Sequence, residues 1–151
     1  MRTIAIFLLL IIETTVWAEA NVTITDPWIR EAPPGARALA GYLVLHNHGD
    51  TDISLVSASG PDFNTVMLHE TITRSEMATM VHLDQIGIPA RGEVTFKPGG
   101  MHLMLMQPKK TFVAGDRSTI ILVFADGTEV NTKFKVKRPF ANDGKINRKH
   151  H

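Results

Sequence analysis

Hydrophobic and polar residues alternate in short segments along most of the chain, and turn residues separate these segments. The clearest example is the segment 129–137, in which Val130, Thr132, Phe134 and Val136 alternate with polar or charged residues. A repeat of two places these four side chains on one face of a strand, as in a sheet with one buried and one solvated side. Longer windows lack convincing helical periodicity, so the pattern predicts a fold built from strands.

Eight or nine strands are predicted in this way. They cover residues 22–25, 39–46, 53–59, 65–73, 79–85, 93–97, 101–106, 118–124 and 129–137. Asp126-Gly127 predicts a two-residue hairpin before the last strand, whereas residues 74–78 have room for a helical turn. Many short strands at this spacing are typical of one all-β domain, an antiparallel β-sandwich or barrel.

Three of the predicted strands combine an aliphatic face with a face of thioether and imidazole groups. The second kind of face holds Met67 and His69 in one strand, Met80 and His82 in the next, and His102, Met104 and Met106 in the third. Methionine alone usually fills irregular gaps in a core, and a single histidine is usually a surface residue. Neither explanation accounts for the repeated pairing of both types opposite the aliphatic residues, so we interpret this face as a metal site.

Composition narrows the kind of metal site. The 151 residues include no cysteine but seven methionines, six of which lie between Met67 and Met106. Without cysteine, the chain has no ligands for zinc–thiolate, iron–sulfur or blue-copper centres and no thiol nucleophile. The net charge of +1 gives no argument for a nucleic acid partner, and we expect none.

The ligand types favour copper. Thioether is a soft, neutral ligand that selects Cu(I), and imidazole binds copper, zinc or iron. Two imidazoles with two thioethers would form a four-coordinate site of low charge. Such a site suits a carrier that exchanges Cu(I) better than a catalyst, which needs an open coordination position and an activated water. We therefore predict a binding protein rather than an enzyme.

The spacing of four of these residues resembles a known signature. His69 is followed by ten residues and Met80, and then by twenty-one residues and His102-Leu103-Met104. This His-x10-Met-x21-His-x-Met pattern is the motif of the PCu(A)C-type periplasmic copper chaperones. Further segments that resemble this family are Pro33-Pro34-Gly35, Gly41-Tyr42-Leu43, Leu68-His69-Glu70 and Lys97-Pro98-Gly99-Gly100.

The resemblance implies a cupredoxin-like Greek-key fold that binds one Cu(I) per chain. It assigns the metal-ligand roles to His69, Met80, His102 and Met104. It also implies delivery to a copper-accepting protein, such as a cytochrome c oxidase subunit or another copper assembly protein. The other Met and His residues of the region are expected to surround the site rather than to bind the ion; they are Met67, Met77, His82, Met101 and Met106.

Three classes of function stay open at this point. The first is the Cu(I) chaperone, with copper tolerance or copper scavenging as its alternative role. The second is a metalloenzyme that uses the same copper, but the sequence offers no cysteine and no obvious acid–base pair for it. The third is an exported interaction module without metal, whose methionine-rich face packs against a partner.

The first residues of the chain predict export, and the last residues predict a basic tail. Arg2, the apolar run 4–12 and Ala18-Glu19-Ala20 form the pattern of a cleaved signal peptide, so we expect residues 1–20 to be removed. The copper-binding domain is then residues 21–141, and 142–151 is a basic tail. We expect a periplasmic protein without stable membrane insertion after cleavage. We expect at most weak Cu(II) capture by His150-His151, because a pair of histidines on a tail lacks preorganisation.

Overall fold

The computed structural model describes residues 21–138, and this part of the chain forms ten β-strands. They are β1 (Val22–Arg30), β2 (Ala38–Asn47), β3 (Ile53–Ser59), β4 (Phe63–Arg74), β5 (Met77–His82), β6 (Ile86–Ile88), β7 (Glu93–Phe96), β8 (Met101–Pro108), β9 (Arg117–Phe124) and β10 (Glu129–Lys137). The predicted signal peptide 1–20, the basic tail 142–151 and the last residues of the predicted domain 21–141 lie outside the described residues.

Seven of the strands close into a barrel. Their hydrogen-bonded order is β4-β8-β2-β1-β10-β9-β3, and the Ala58↔Val66 pair between β3 and β4 closes the ring. β5 extends the sheet beyond β4, β7 pairs with β2, and β6 pairs with β3. The all-β fold class predicted from the alternation is thereby confirmed.

One strand pair differs from the predicted antiparallel pattern. β1 and β10 run parallel, with Trp28 opposite Lys135 and Arg30 opposite Lys137, whereas the other pairs in the described range are antiparallel. Parallel neighbours need a long connection. Here almost the whole domain separates the two strands, so the first and last strands hold the barrel together from both ends of the sequence.

The barrel interior is filled by the aliphatic faces that the sequence pattern marks. In β10, Thr132, Phe134 and Val136 are buried while the lysines between them are exposed. In β8, Leu103 and Leu105 have no exposed surface, and Leu68 of β4 is almost as deeply buried. Since successive side chains of a strand point to opposite faces, the residues between these leucines lie on the outer face of the barrel.

β5 is an arm at the edge of the sheet rather than part of the barrel wall. All six of its residues are exposed. They include Val81, which the sequence pattern places on the aliphatic face of this strand and therefore in the core. The segment 74–78 is a tight hairpin instead of a helical turn, with φ of 46° at Ser75 and 68° at Glu76. Left-handed φ values at both central residues match the twist of a two-residue hairpin.

Two further details differ from the sequence predictions. The short strand β6 was not predicted. The β9–β10 hairpin lies at Asp126-Gly127 as predicted, but its connection runs from Ala125 to Thr128 and is longer than two residues. Gly127 supplies the left-handed conformation there, with φ of 86°. In residues 21–138 there is no helix with the length and hydrophobicity needed to span a bilayer.

Candidate metal centre

Three histidines form a row across neighbouring strands on the outer face of the barrel. His69 of β4 pairs directly with His102 of β8 on one side and with His82 of β5 on the other. The ring centroids are 5.9 Å apart for His69 and His102 and 5.5 Å apart for His69 and His82, with the rings nearly perpendicular in both pairs. The sequence predicted the shared face of these residues, but it did not predict that His82 lies in register with His69.

The two methionines of the motif lie on the same face, one strand away from His69 in opposite directions. Met104 pairs with Met67 of β4, and Met80 pairs with Thr71. Because Met67 and Thr71 are each two residues from His69, both thioethers are diagonal neighbours of this imidazole, about 7–8 Å away at the backbone. The strand register therefore places His102 beside His69, and Met80 and Met104 diagonally on either side of it, all on one face of the sheet.

Burial falls steeply from the barrel wall to the edge arm. His102 is only 5% exposed, whereas the side chain of His82 is 57% exposed and Met80 is 59% exposed. His69 and Met104 are half-buried between these extremes. The site thus has a fixed inner side on β8 and β4 and an open outer side on β5.

The turn between β7 and β8 orients the imidazole of His102. Its Nδ1 donates a hydrogen bond to the carbonyl oxygen of Gly100 at 3.0 Å, and the same oxygen accepts the N–H of Thr71 at 3.1 Å. Gly99 adopts the left-handed backbone conformation in this turn, with φ of 80°. A hydrogen bond at Nδ1 fixes the tautomer and leaves Nε2 with a free lone pair, which is the arrangement expected of a metal-binding histidine.

The imidazole of His69 has an unused polar atom. Its Nδ1 is buried and has no hydrogen-bond partner. Burial, and then the neighbouring imidazoles of His102 and His82, lower the pKa of His69 below its ordinary value. Metal ions bind neutral imidazole, so a lowered pKa keeps this ligand available. Because a buried polar atom without a partner is costly, the unpaired Nδ1 fits a nitrogen that binds an external group.

Thioether and imidazole, rather than carboxylate, are the donors that this face offers. In their present positions, no group of three or more His, Cys, Asp or Glu side chains within residues 21–138 could hold a metal ion. The nearest carboxylate to the row is that of the fully exposed Asp84, whose Oδ1 lies 3.7 Å from His82 Nε2. The donor set fits a soft ion and does not fit Mg²⁺ or Ca²⁺, which require several oxygen ligands.

The other methionines divide by strand parity. Met67 and Met106 share the face of the histidine row and are half-buried. Met101 instead packs against the hydrophobic core, and the 73%-exposed Met77 points to the opposite face of β5. Only Met67 and Met106 therefore surround the site in the way the sequence predicted for all four.

A second pair of histidines lies apart from this face. The rings of His46 and His48 stack with centroids 6.3 Å apart, and their Nε2 atoms lie 2.9 Å and 2.8 Å from the hydroxyl oxygens of Thr25 and Thr23. His46 Nδ1 also lies 3.1 Å from a carboxylate oxygen of Glu93. Both histidines are therefore engaged as polar residues outside the histidine row.

Solved structures with this fold include copper-binding domains. The copper-bound PCuAC domain from PmoF2 is 27% identical to this chain, with a TM-score of 0.68 over 82% of this chain and 97% of that domain. The solution structure of CuI-DR1885 from Deinococcus radiodurans is 34% identical, with a TM-score of 0.62 over 79% of this chain and 78% of that protein. These neighbours confirm the cupredoxin-like fold class.

Sequence relatives give the family. Lxx21020 of Leifsonia xyli subsp. xyli (strain CTCB07), named as a lipoprotein, is 31% identical over 118 residues, which cover 78% of this chain and 70% of the relative. The family model described as "Putative lipoprotein LpqE-like" matches residues 22–136, nearly all of the part that the structure describes. The chain therefore belongs to the LpqE-like family, and its structural neighbours are PCuAC domains.

Proposed function

We propose that this protein is a copper chaperone that binds one Cu(I) through His69, Met80, His102 and Met104. The observation that carries the proposal is the placement of these four residues on one outer face around His69, whose buried Nδ1 lacks a partner. The copper-bound PCuAC domain from PmoF2 and the Cu(I) form of DR1885 support copper as the ion. Two thioethers favour its reduced state.

The burial gradient suggests how the ion leaves. His102 is held by Gly100 and is almost fully buried, so it is the most fixed of the four ligands. Met80 is on an edge strand and largely exposed, so an incoming ligand reaches the ion from the side of β5 and replaces Met80 first. Exchange of similar ligands one at a time avoids releasing free Cu(I), which is what a carrier requires and what a catalyst does not.

We infer that the recipient is a copper-accepting protein such as a cytochrome c oxidase subunit or another copper assembly protein. The soft donor set and the open side at β5 support transfer to a partner with similar ligands. The same features would serve copper tolerance, so transfer itself has to be measured.

Export is part of the proposal. The lipoprotein name of the family agrees with a protein that leaves the cytoplasm, and residues 1–20 have the composition of a cleaved signal peptide. We expect the periplasmic form to begin at Asn21. Mass spectrometry of the exported protein checks this, and an exported form that retains Met1–Ala20 would contradict it.

The binding experiment is a titration of the purified chain with Cu(I) under anaerobic, reducing conditions, in competition with a chromophoric Cu(I) chelator. We expect one Cu(I) per chain and no comparable uptake of Zn(II). For transfer, the loaded protein is mixed with the apo copper domain of a cytochrome oxidase subunit, and the copper content of both is measured after separation. Retention of all Cu(I) by this protein would exclude that domain as an acceptor, and failure to bind Cu(I) would refute the proposal as a whole.

A further inference from the structure

His82 is the feature of the site that the four-ligand proposal leaves unused. It does not belong to the His-x10-Met-x21-His-x-Met pattern, yet it is the residue of β5 that lies directly across from His69. Met80, the ligand that the pattern takes from the same strand, is only a diagonal neighbour of His69. The register of β5 therefore brings an imidazole closer to the centre of the row than the thioether.

Each outer imidazole of the row lies close enough to His69 to share an ion with it. Each outer ring is within 6 Å of the His69 ring, at 5.5 Å for His82 and 5.9 Å for His102. Two imidazoles on one ion, each with a metal–nitrogen bond of about 2.0 Å, place their ring centres at a similar separation. Within residues 21–138, no three such side chains are positioned to hold an ion as they stand, so at least one of the row has to turn inward.

His82 is the side chain that can turn at low cost. More than half of it is exposed, and its only charged neighbour within the described residues is Asp84, at 3.7 Å. An exposed pair at that distance contributes little to stability. By contrast, His102 is fixed by Gly100, and His69 already presents an unpaired Nδ1. The imidazoles of His69 and His102 are thus already in position, and the exposed imidazole of His82 can rotate toward them.

We propose that His69, His82 and His102 form a second donor set that binds Cu(II), in which His82 takes the place of the two thioethers. Imidazole nitrogen suits Cu(II), whereas thioether sulfur selects Cu(I), and among divalent first-row ions Cu(II) binds such ligands most strongly. The two donor sets share His69 and His102, so one chain holds one ion at this face in either oxidation state. The inference rests on the proposed function only through these two shared ligands.

The test compares two variants of the same strand, each with both ions. Cu(II) affinity is measured without reductant, with copper(II) sulfate and a competing Cu(II) chelator, and Cu(I) affinity is measured anaerobically as above. The parent for both is the mature chain with His150→Ala and His151→Ala, which removes other histidines able to capture Cu(II). His48→Ala serves as a matched control, because it removes an exposed histidine that lies away from the row.

Opposite losses are expected from the two variants. Removing a group that only hydrogen-bonds a metal ligand already lowers metal affinity by about 10–100-fold. Removing a ligand itself should therefore lower it by at least about tenfold. His82→Ala should therefore lose at least about tenfold in Cu(II) affinity and keep the parent's Cu(I) affinity, and Met80→Ala should do the reverse. Electron paramagnetic resonance of the Cu(II) form should show one nitrogen donor fewer in His82→Ala.

Each result has a definite meaning. Unchanged Cu(II) affinity and an unchanged nitrogen pattern in His82→Ala would overturn the inference, and an equal loss in His48→Ala would overturn it as well. Unchanged Cu(I) affinity in Met80→Ala would instead refute the four-ligand proposal, so the two failures are distinguishable. Both changed residues are exposed, and circular dichroism checks that the variants keep the fold.

Discussion

Met80 and Met77 offer a matched pair of substitutions on one strand. Both are exposed methionines of β5, but Met80 shares the face of the histidine row and Met77 lies on the other face. Replacing either one by alanine removes the same atoms from the same edge strand. Only Met80→Ala removes a proposed ligand, so a difference between the two variants reports on coordination rather than on the fold.

The effect on folding should be small for both variants. Met80 is 59% exposed and Met77 is 73% exposed, so less than half of either side chain is buried. Since full burial of a methionine side chain contributes about 1.5–3 kcal/mol, either truncation should cost about 1 kcal/mol or less. Urea unfolding of the copper-free proteins measures this cost.

The effect on Cu(I) binding should separate the variants. Met80→Ala should lose at least about tenfold in affinity, or about 1.4 kcal/mol, whereas Met77→Ala should match the parent. A free Cu(I) concentration of 100 times the parent's Kd stabilises the parent by about 2.7 kcal/mol, and at a tenfold weaker Kd the gain falls to about 1.4 kcal/mol. Chelator competition and copper-dependent thermal unfolding measure the same loss independently. Equal affinities in the two variants would refute the assignment of Met80 as a ligand.

Three other predictions concern the turn, the scaffold and pH. Gly99→Ala should lower stability by about 1–2 kcal/mol because φ is 80° there, whereas Gly87→Ala, with open space around it and no left-handed φ, should cost less in the same denaturant titration. Asn47→Ala should cost about 1–3 kcal/mol, because the buried amide donates to the carbonyls of Thr51 and Pro89, yet Cu(I) affinity should not change. Because burial and the neighbouring imidazoles lower the pKa of His69, protons compete for it only at lower pH than for an ordinary histidine. Below the lowered pKa of His69, log Cu(I) affinity should therefore fall more steeply with decreasing pH in the parent than in His69→Ala, by about one further unit per pH unit, and chelator competition at several pH values measures both slopes.

Strand parity is the part of the site that the sequence could predict. In β4 and β8, the alternation of Leu68 with His69 and of Leu103 with His102 places the aliphatic residues in the core and the histidines on the outer face of the barrel wall. Such alternation is a local property of a strand, and burial of one face enforces it. The pattern also identified nine of the ten strands that the described residues form.

Features that depend on strand pairing could not be predicted from the alternation of residues along the chain. Alternation predicts which residues of one strand lie on the same face, but it does not predict which residue of the next strand lies opposite each of them. The pairing of His69 with His82, the parallel pairing of β1 with β10 and the closure of β3 on β4 are all of this kind. The exposed position of Val81 has the same origin, because only the strand order shows that β5 lies outside the barrel wall.

The hairpin between β4 and β5 was missed for a local reason. Ser75 and Glu76 adopt left-handed φ values, and such positions in a two-residue hairpin are usually occupied by Gly or Asn. Without those residues, the segment gave no turn signal. This hairpin sets the register of β5, and therefore it decides which of Met80 and His82 faces His69 directly.

X-ray absorption spectroscopy at the copper edge is the most direct measurement of the proposed Cu(I) site, because it counts the donor atoms around the ion. The mature chain loaded with one Cu(I) should show two nitrogen and two sulfur neighbours, and Met80→Ala should lose one sulfur while Met77→Ala keeps both. A Cu(I) form with no sulfur neighbours, or with the same sulfur count in Met80→Ala as in the parent, would contradict the account.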